Sequence, residues 1–306
     1  MEMHYVRRGA GKPLLLLHGI GSSWRTWQLI LDDLALERDV IAVDLPGFGD
    51  TPPLAGPVTV NTLADAVTAF LTQHDLLGID VVGNSMGARL VLELARRPGV
   101  VGAVVALDPG GFWQGLEVPF FYGKISLSGK LIKALQPAMP FLTGNAVTRT
   151  VLFSQFSHHP WKIPAQVALD ETRSFAHAPS FEELLKSLVK DEQVGAPKGS
   201  IRGPLVIGWG RQDQVCPPKQ SKLALEKFPD ARLYWFDDCG HVPQWDQPAE
   251  TVRLILAATG GRRFLDFDVA QHAPVAKKKV PKAAVVAGVA ALLAGGAWLL
   301  LKKKRR

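Results

Sequence analysis

The chain predicts an α/β fold in which a mostly parallel sheet carries helices on both faces. Three observations lead there. Short, wholly apolar runs recur, and each stops at a cluster of turn residues. Stretches of roughly 10–15 residues with helical periodicity separate them. The alternation breaks once, over 112–195, and then resumes. Strands buried on both faces read as continuous apolar runs, whereas half-exposed strands alternate apolar and polar residues.

Residues 1–13 are polar and mixed, and Leu14–Leu17 is too short for the core of a secretory signal, so no signal peptide is expected. Leu14–Leu17 predicts a buried strand ending at His18-Gly19. Trp24–Leu36 has helical spacing, and Val40–Val43 predicts a strand ending at Asp44-Leu-Pro-Gly-Phe-Gly. Asn61 or Thr62 is placed to cap a helix that runs through Thr72. Ile79–Val82 and Val101–Leu107 predict strands, with a helix over Met86–Arg97 between them. Residues 112–195 hold many Pro and Gly, helix-like pieces such as Ser180–Lys190, and no clear strand. The strand–helix pattern returns with Leu205–Trp209, Pro217–Phe228, Arg232–Phe236 and Pro248–Ala258. The expected organisation is a first core part over 1–111, an inserted helical cap over 112–195 and a second core part over 196–259. A basic linker over 260–282, an apolar helix over 283–301 and a basic tail over 302–306 then follow.

The composition, 47% hydrophobic and 21% charged, is that of a globular protein. The net charge of +7 is unevenly placed. Residues 260–306 carry eleven basic and two acidic residues, against 24 basic and 26 acidic in the first 259. The body is therefore close to neutral, which argues against a nucleic-acid groove. Cys216 and Cys239 are too few for a disulfide framework or a four-cysteine zinc site, and are expected to be reduced thiols.

The chemistry centres on Gly83-Asn84-Ser85-Met86-Gly87, which lies between a predicted strand and a predicted helix. Glycines flank the serine because so sharp a turn leaves no room for side chains, and the turn lifts the hydroxyl to the carboxyl end of the sheet. There the helix N-terminus favours developing negative charge. A serine hydroxyl needs a base, normally a histidine oriented by a carboxylate. His241, in the turn-rich Asp238-Cys-Gly-His-Val-Pro, is the expected base. Asp213, just past the strand Leu205–Trp209, is the expected acid, and Asp108, at the end of Val101–Leu107, is its rival. An oxyanion hole needs two backbone N–H donors. Met86 supplies one, and Ile20, in the loop after His18-Gly19, supplies the other, with Gly21 as second choice. His18 is expected to brace that loop. No cofactor or metal is expected.

His18-Gly19, Asp44-x-Pro-Gly-x-Gly, Gly-Asn-Ser85-Met-Gly, Gly-Arg-x-Asp213 and Cys-Gly-His241 together resemble the α/β-hydrolase superfamily over about residues 5–258. The resemblance implies an eight-stranded, mostly parallel sheet under a helical cap. The first strand of the family pattern is missing, because His18 comes so early. Gly-Asn-Ser-Met-Gly and Cys-Gly-His-x-x-Gln-Trp also resemble the carbon–carbon bond hydrolases of aromatic-ring cleavage. Val242 stands where those enzymes usually have tryptophan, and the loop after Gly19 is shorter than theirs. Haloperoxidase-like esterases share the serine–methionine pair. Dehalogenases and epoxide hydrolases of this fold use an aspartate where this chain has Ser85.

Residues 283–301 carry no charge and as a helix would extend about 28 Å, close to the hydrocarbon thickness of a bilayer. Trp298 sits near one end, basic residues flank both, and Ala283, Ala287, Ala291 and Gly295 form a small-residue face. A transmembrane helix is expected there, with the body cytoplasmic and anionic lipid at the basic flanks. The first functional reading is a membrane-tethered serine hydrolase acting on a small-molecule or lipid-like ester. Eleven of the chain's 25 aromatic residues fall in the cap, which suits an apolar acyl or aryl group. The alternatives are a carbon–carbon bond hydrolase with the same residues and a non-catalytic scaffold of the same fold.

Overall fold

A computed structural model describes residues 2–260. The expected linker from 261 on, the transmembrane helix over 283–301 and the basic tail lie outside the described residues. Within them, no helix is long and apolar enough to cross a membrane.

The elements run β1 (Tyr5–Arg8), β2 (Pro13–Leu17), α1 (Leu31–Ala35), β3 (Asp39–Val43), α2 (Val60–Gln73), β4 (Ile79–Asn84), α3 (Met86–Ala95) and β5 (Val101–Leu107). Five helices follow: α4 (Glu117–Ala134), α5 (Met139–Gly144), α6 (Ala146–Phe153), α7 (Ala165–Ala176) and α8 (Phe181–Lys190). Then come β6 (Leu205–Gly210), α9 (Ser221–Lys227), β7 (Arg232–Phe236), α10 (Pro243–Asp246) and α11 (Pro248–Thr259). The described strands form one seven-stranded sheet in the order β1-β3-β2-β4-β5-β6-β7, rather than the eight strands the resemblance implies. Only β1 is antiparallel to its neighbour. It went unread in the sequence because Tyr-Val-Arg-Arg is an edge strand with one end exposed, so it forms no apolar run.

Successive residues of the inner strands face opposite sides. Leu15, Leu17, Val81 and Val104 enter one core with α2 and α3, while Leu14, Leu16, Val82 and Val105 enter the other with Trp27 and Leu254. Leu14–Leu17 are all fully buried, and each such leucine contributes roughly 1.5–3 kcal/mol. The loop that begins at His18 therefore starts from a firmly held strand.

Two helix expectations change. Trp24–Leu36 is not one helix but a 3-10 turn over Trp24–Trp27 followed by α1. The Trp24 N–H, unpaired at any helix start, donates to Asp44 Oδ1 at 2.8 Å, and the Thr26 carbonyl accepts Trp245 Nε1–H at 3.2 Å. The Ile30 N–H then turns to the Trp27 carbonyl. The cap of α2 is Thr59, not Asn61 or Thr62. Its hydroxyl accepts the Thr62 N–H, and the Thr62 hydroxyl accepts the Thr59 N–H, a reciprocal capping box.

Candidate active site

Parallel register brings the ends of β2, β4, β5 and β6 together: Leu17 pairs with Gly83, Asn84 with Leu107, and Leu107 with Gly208. Ser85 follows β4 directly, with φ 58° and ψ −115°, a left-handed backbone unusual for a residue with a side chain. The two flanking glycines let β4, the turn and α3 close on one another. A Cβ at Gly83 would lie 2.1 Å from the Gly87 carbonyl oxygen, and one at Gly87 would lie 2.2 Å from the Leu17 carbonyl oxygen. Nothing larger than hydrogen fits at either position.

The Ser85 hydroxyl lies 2.8 Å from His241 Nε2, and His241 Nδ1 lies 2.8 Å from Asp213 Oδ2. Both partners of Ser85 are buried. Asp213 is itself oriented, because Oδ1 accepts the Val215 N–H at 2.7 Å and the Cys216 N–H at 2.9 Å. A carboxylate so held fixes the imidazole with Nδ1 protonated and Nε2 free to accept the serine proton. Asp108, the rival acid, is fully buried but bonds elsewhere: Oδ1 accepts the Gly210 N–H at 2.8 Å, and Oδ2 has no partner among the described residues. Burial, and then the charge of Asp213, push the Asp108 carboxyl well above the usual carboxylate range.

Ile20 lines the same cavity as Ser85, in a loop closed by the Ser22 N–H donating to the Gly19 carbonyl at 3.2 Å. Met86 opens α3, so its N–H has no intrahelical acceptor. His18 braces this region. Its Nε2 accepts the Leu45 N–H at 3.0 Å, which leaves Nδ1 as donor to the Gly19 carbonyl at 2.7 Å. Burial holds its pKa below the usual value, in keeping with a neutral ring.

Three positioning groups carry no role in the sequence reading. Asn84 Nδ2 donates to the His241 carbonyl at 3.0 Å and to the Leu107 carbonyl at 3.2 Å, tying the histidine loop to the serine turn. The Asp246 carboxylate accepts the Gly240 and His158 N–H groups, both at 2.7 Å, so it joins that loop to the segment after α6. The Asp44 carboxylate accepts the Trp24 and Asp50 N–H groups and pairs with His4. Asn84 and Asp44 lie inside quoted motifs, but only the long-range contacts give them work. Asp246 carries no motif signal.

His4, Asp44 and Asp50 cluster as metal ligands might, as do Asp213, Cys216 and His241. In each cluster the chemistry is already committed. The Asp44 carboxylate accepts the Trp24 and Asp50 N–H groups, His241 bridges Asp213 and Ser85, and burial pushes the Cys216 thiol up and away from the thiolate a metal needs. Both cysteines are free and buried.

Above Ser85 lies a small cavity of roughly 70 Å³, partly open to solvent. Its walls include Phe121, Phe153, Phe175, Val242 and Trp245.

The comparisons agree with this architecture. The chain is 26% identical over 271 residues to the dihydrolipoyllysine-residue acetyltransferase component of the acetoin cleaving system of Cupriavidus necator, covering 85% of this chain and 67% of that protein. It is 27% identical over 265 residues to a 2-hydroxy-6-oxononadienedioate/2-hydroxy-6-oxononatrienedioate hydrolase of Pseudomonas putida, covering 84% of this chain and 91% of that one. Its fold matches the crystal structure of a bacterial membrane phospholipase A with a TM-score of 0.66 at 23% identity, covering 88% of this chain and 84% of that one. The family model described as "Alpha/beta hydrolase family" matches residues 14–254, and the chain belongs to that family.

Proposed function

We propose that this protein is a serine hydrolase that cleaves esters with an apolar acyl or aryl part, tethered to a membrane by residues 283–301 with its body on the cytoplasmic side. The observation that carries the reading is the run of two 2.8 Å hydrogen bonds from Ser85 through His241 to Asp213, opening into an apolar cavity. In this mechanism the Ser85 oxygen attacks the ester carbonyl carbon and its proton passes to His241 Nε2. Asp213 keeps Nδ1–H oriented and stabilises the imidazolium. The Ile20 and Met86 N–H groups bind the oxyanion, each worth about 2.7–4 kcal/mol by analogy with other such donors. Collapse expels the alcohol, which takes the proton from His241. Water, deprotonated by the same nitrogen, then releases the acid and restores Ser85.

The apolar, uncharged 283–301 segment with its basic flanks supports the tether. The match to a membrane phospholipase A is in keeping with an ester substrate at a lipid surface. The likeness to the Pseudomonas putida dienedioate hydrolase favours a second reading, carbon–carbon bond hydrolysis with the same residues. Turnover of a ring-fission dienoate compared with a short p-nitrophenyl ester separates the two. The mechanism itself is tested with a fluorophosphonate probe, which is expected to label the wild type and not Ser85→Ala. Equal labelling of both refutes it.

A further inference from the structure

Helix α4 is apolar on two faces. Its inner face carries Phe121, Ile125 and Ile132 into the wall of the cavity over Ser85. Its outer face carries Leu116, at the N-cap, with Phe120, Leu127 and Leu131, which are 87%, 71%, 68% and 47% exposed. At about 100° per residue these four lie within an arc of about 60°, roughly opposite Ile125. A surface helix normally turns polar side chains outward, and an exposed apolar stripe marks a contact surface. The charge beside the stripe is positive. Lys130 stands about 40° to one side of it, Lys133 follows three residues on, and both are exposed. The one acid of the helix, Glu117, is paired with Lys219.

We propose that this stripe docks on an anionic lipid bilayer, with the helix that walls the cavity lying in the membrane interface. A helix so placed sinks its apolar face about 5–10 Å into the boundary between headgroups and acyl chains. Lipid phosphates pair with Lys130 and Lys133, and each basic residue near such a surface is worth about a fivefold gain in affinity. Other occupants meet like charge. A second copy joined through the stripe brings Lys130 and Lys133 against their own counterparts. The chain's own 283–301 segment brings the lysines at 277–279, 282 and 302–304. The 22 residues from 261 to 282 can extend to about 70 Å, so the tether leaves the cap free to turn to the bilayer. Four side chains give only weak, reversible membrane binding, so the stripe orients the body while the tail anchors it. The proposal rests on the reading of 283–301 as a membrane tether.

The test uses full-length protein reconstituted in vesicles of phosphatidylglycerol and phosphatidylcholine, with the fluorophore NBD attached to Leu127→Cys. Cys216 and Cys239 are buried and stay unlabelled, which the wild-type protein checks. Leu36→Cys is the control. Leu36 is 84% exposed but precedes β3, at the amino ends of the strands, whereas α4 covers the carboxyl ends. Nitroxide-labelled phosphatidylcholine is expected to quench the label at Leu127→Cys, and likewise at Phe120→Cys, and to leave Leu36→Cys bright. Replacing phosphatidylglycerol by phosphatidylcholine should weaken the quenching, because Lys130 and Lys133 lose their partners. Protein that floats with the vesicles but is quenched at neither stripe position overturns the docking and leaves the tether standing. Equal quenching at Leu36→Cys overturns it too. So does a blue-shifted emission that nitroxide lipid leaves untouched, since protein then covers the stripe. Quenching as strong in pure phosphatidylcholine overturns the choice of an anionic surface. Protein that does not float with the vesicles refutes the tether, and the docking with it.

Discussion

Replacing Glu171 by Gln should make the protein more stable, and increasingly so as pH rises. The substitution keeps the size of the side chain and an oxygen to accept the Ser22 hydroxyl, but removes the titration. In the folded wild type the carboxyl holds its proton up to about pH 8, because it is buried without a cation and the nearby charge of Asp170 adds to the effect. In the unfolded chain it ionises around its ordinary value of 4.5. Between these values the unfolded state binds fewer protons than the folded one. The stability contributed by Glu171 is thus fully present below the lower value and is lost as pH climbs through the upper one. Each unit is worth about 1.4 kcal/mol, so the loss reaches about 3 kcal/mol at pH 7 and levels off at about 5 kcal/mol above pH 8. Gln escapes it. Urea unfolding at pH 5, 7 and 8.5 should show Glu171→Gln close to wild type at the lowest pH and about 3 kcal/mol more stable at pH 7. That gain corresponds to a melting temperature raised by roughly 6–12 °C. A stability difference that stays constant with pH would refute the argument that this carboxyl is buried and neutral.

Other expectations follow from the same geometry. Asp213→Asn should lower kcat on a p-nitrophenyl ester about 10⁴-fold, whereas Asp108→Asn, which keeps its acceptor for the Gly210 N–H, should stay within about tenfold of wild type; the reverse order would make Asp108 the acid. Gly87→Ala drives a Cβ into the Leu17 carbonyl and should cost at least about 2 kcal/mol in urea unfolding, while Gly123→Ala, in α4 with open space around it, should gain about 0.5–1 kcal/mol. Asp246→Ala frees the Gly240 and His158 N–H groups and should cost about 3 kcal/mol, with kcat falling more than KM changes, because the histidine loop loses its tie. Deleting residues 277–306 should move the protein from the membrane to the soluble fraction with probe labelling retained; full-length protein that is soluble without detergent would refute the tether.

Much of this protein was legible from its order of residues. Continuous apolar runs such as Leu14–Leu17 and Val101–Leu107, bounded by turn residues, read as strands covered on both faces, and they pair in parallel at the centre of the sheet. Gly83 and Gly87 around Ser85 signalled a turn in which hydrogen is the only side chain that fits, and the structure shows the two backbone oxygens responsible. Less was legible where the backbone is governed by distant partners. The helix read over Trp24–Leu36 breaks where Trp245, far away in sequence, takes the Thr26 carbonyl and the Ile30 N–H turns to the Trp27 carbonyl instead. The polar edge strand Tyr5–Arg8 exists because β3 offers it a ladder, not because its own residues demand one.

By itself the sequence determined the alternation of elements, the turn that carries Ser85 and the loop that carries His241, since each depends on residues adjacent in the chain. It left two carboxylates at neighbouring strand ends, Asp213 as the expected partner of the histidine and Asp108 as its rival. Only the tertiary structure decided that Asp213 reaches His241 while Asp108 turns to the Gly210 amide, its pKa raised by burial. It alone brought Glu171 into the cavity wall, from a helix more than eighty residues beyond Ser85. The physical reason is the same in both cases. Local pattern fixes which groups exist at an element's end, but the burial and the hydrogen-bond partners that set their charge come from chain segments that meet only when the sheet and the inserted helices close over one another.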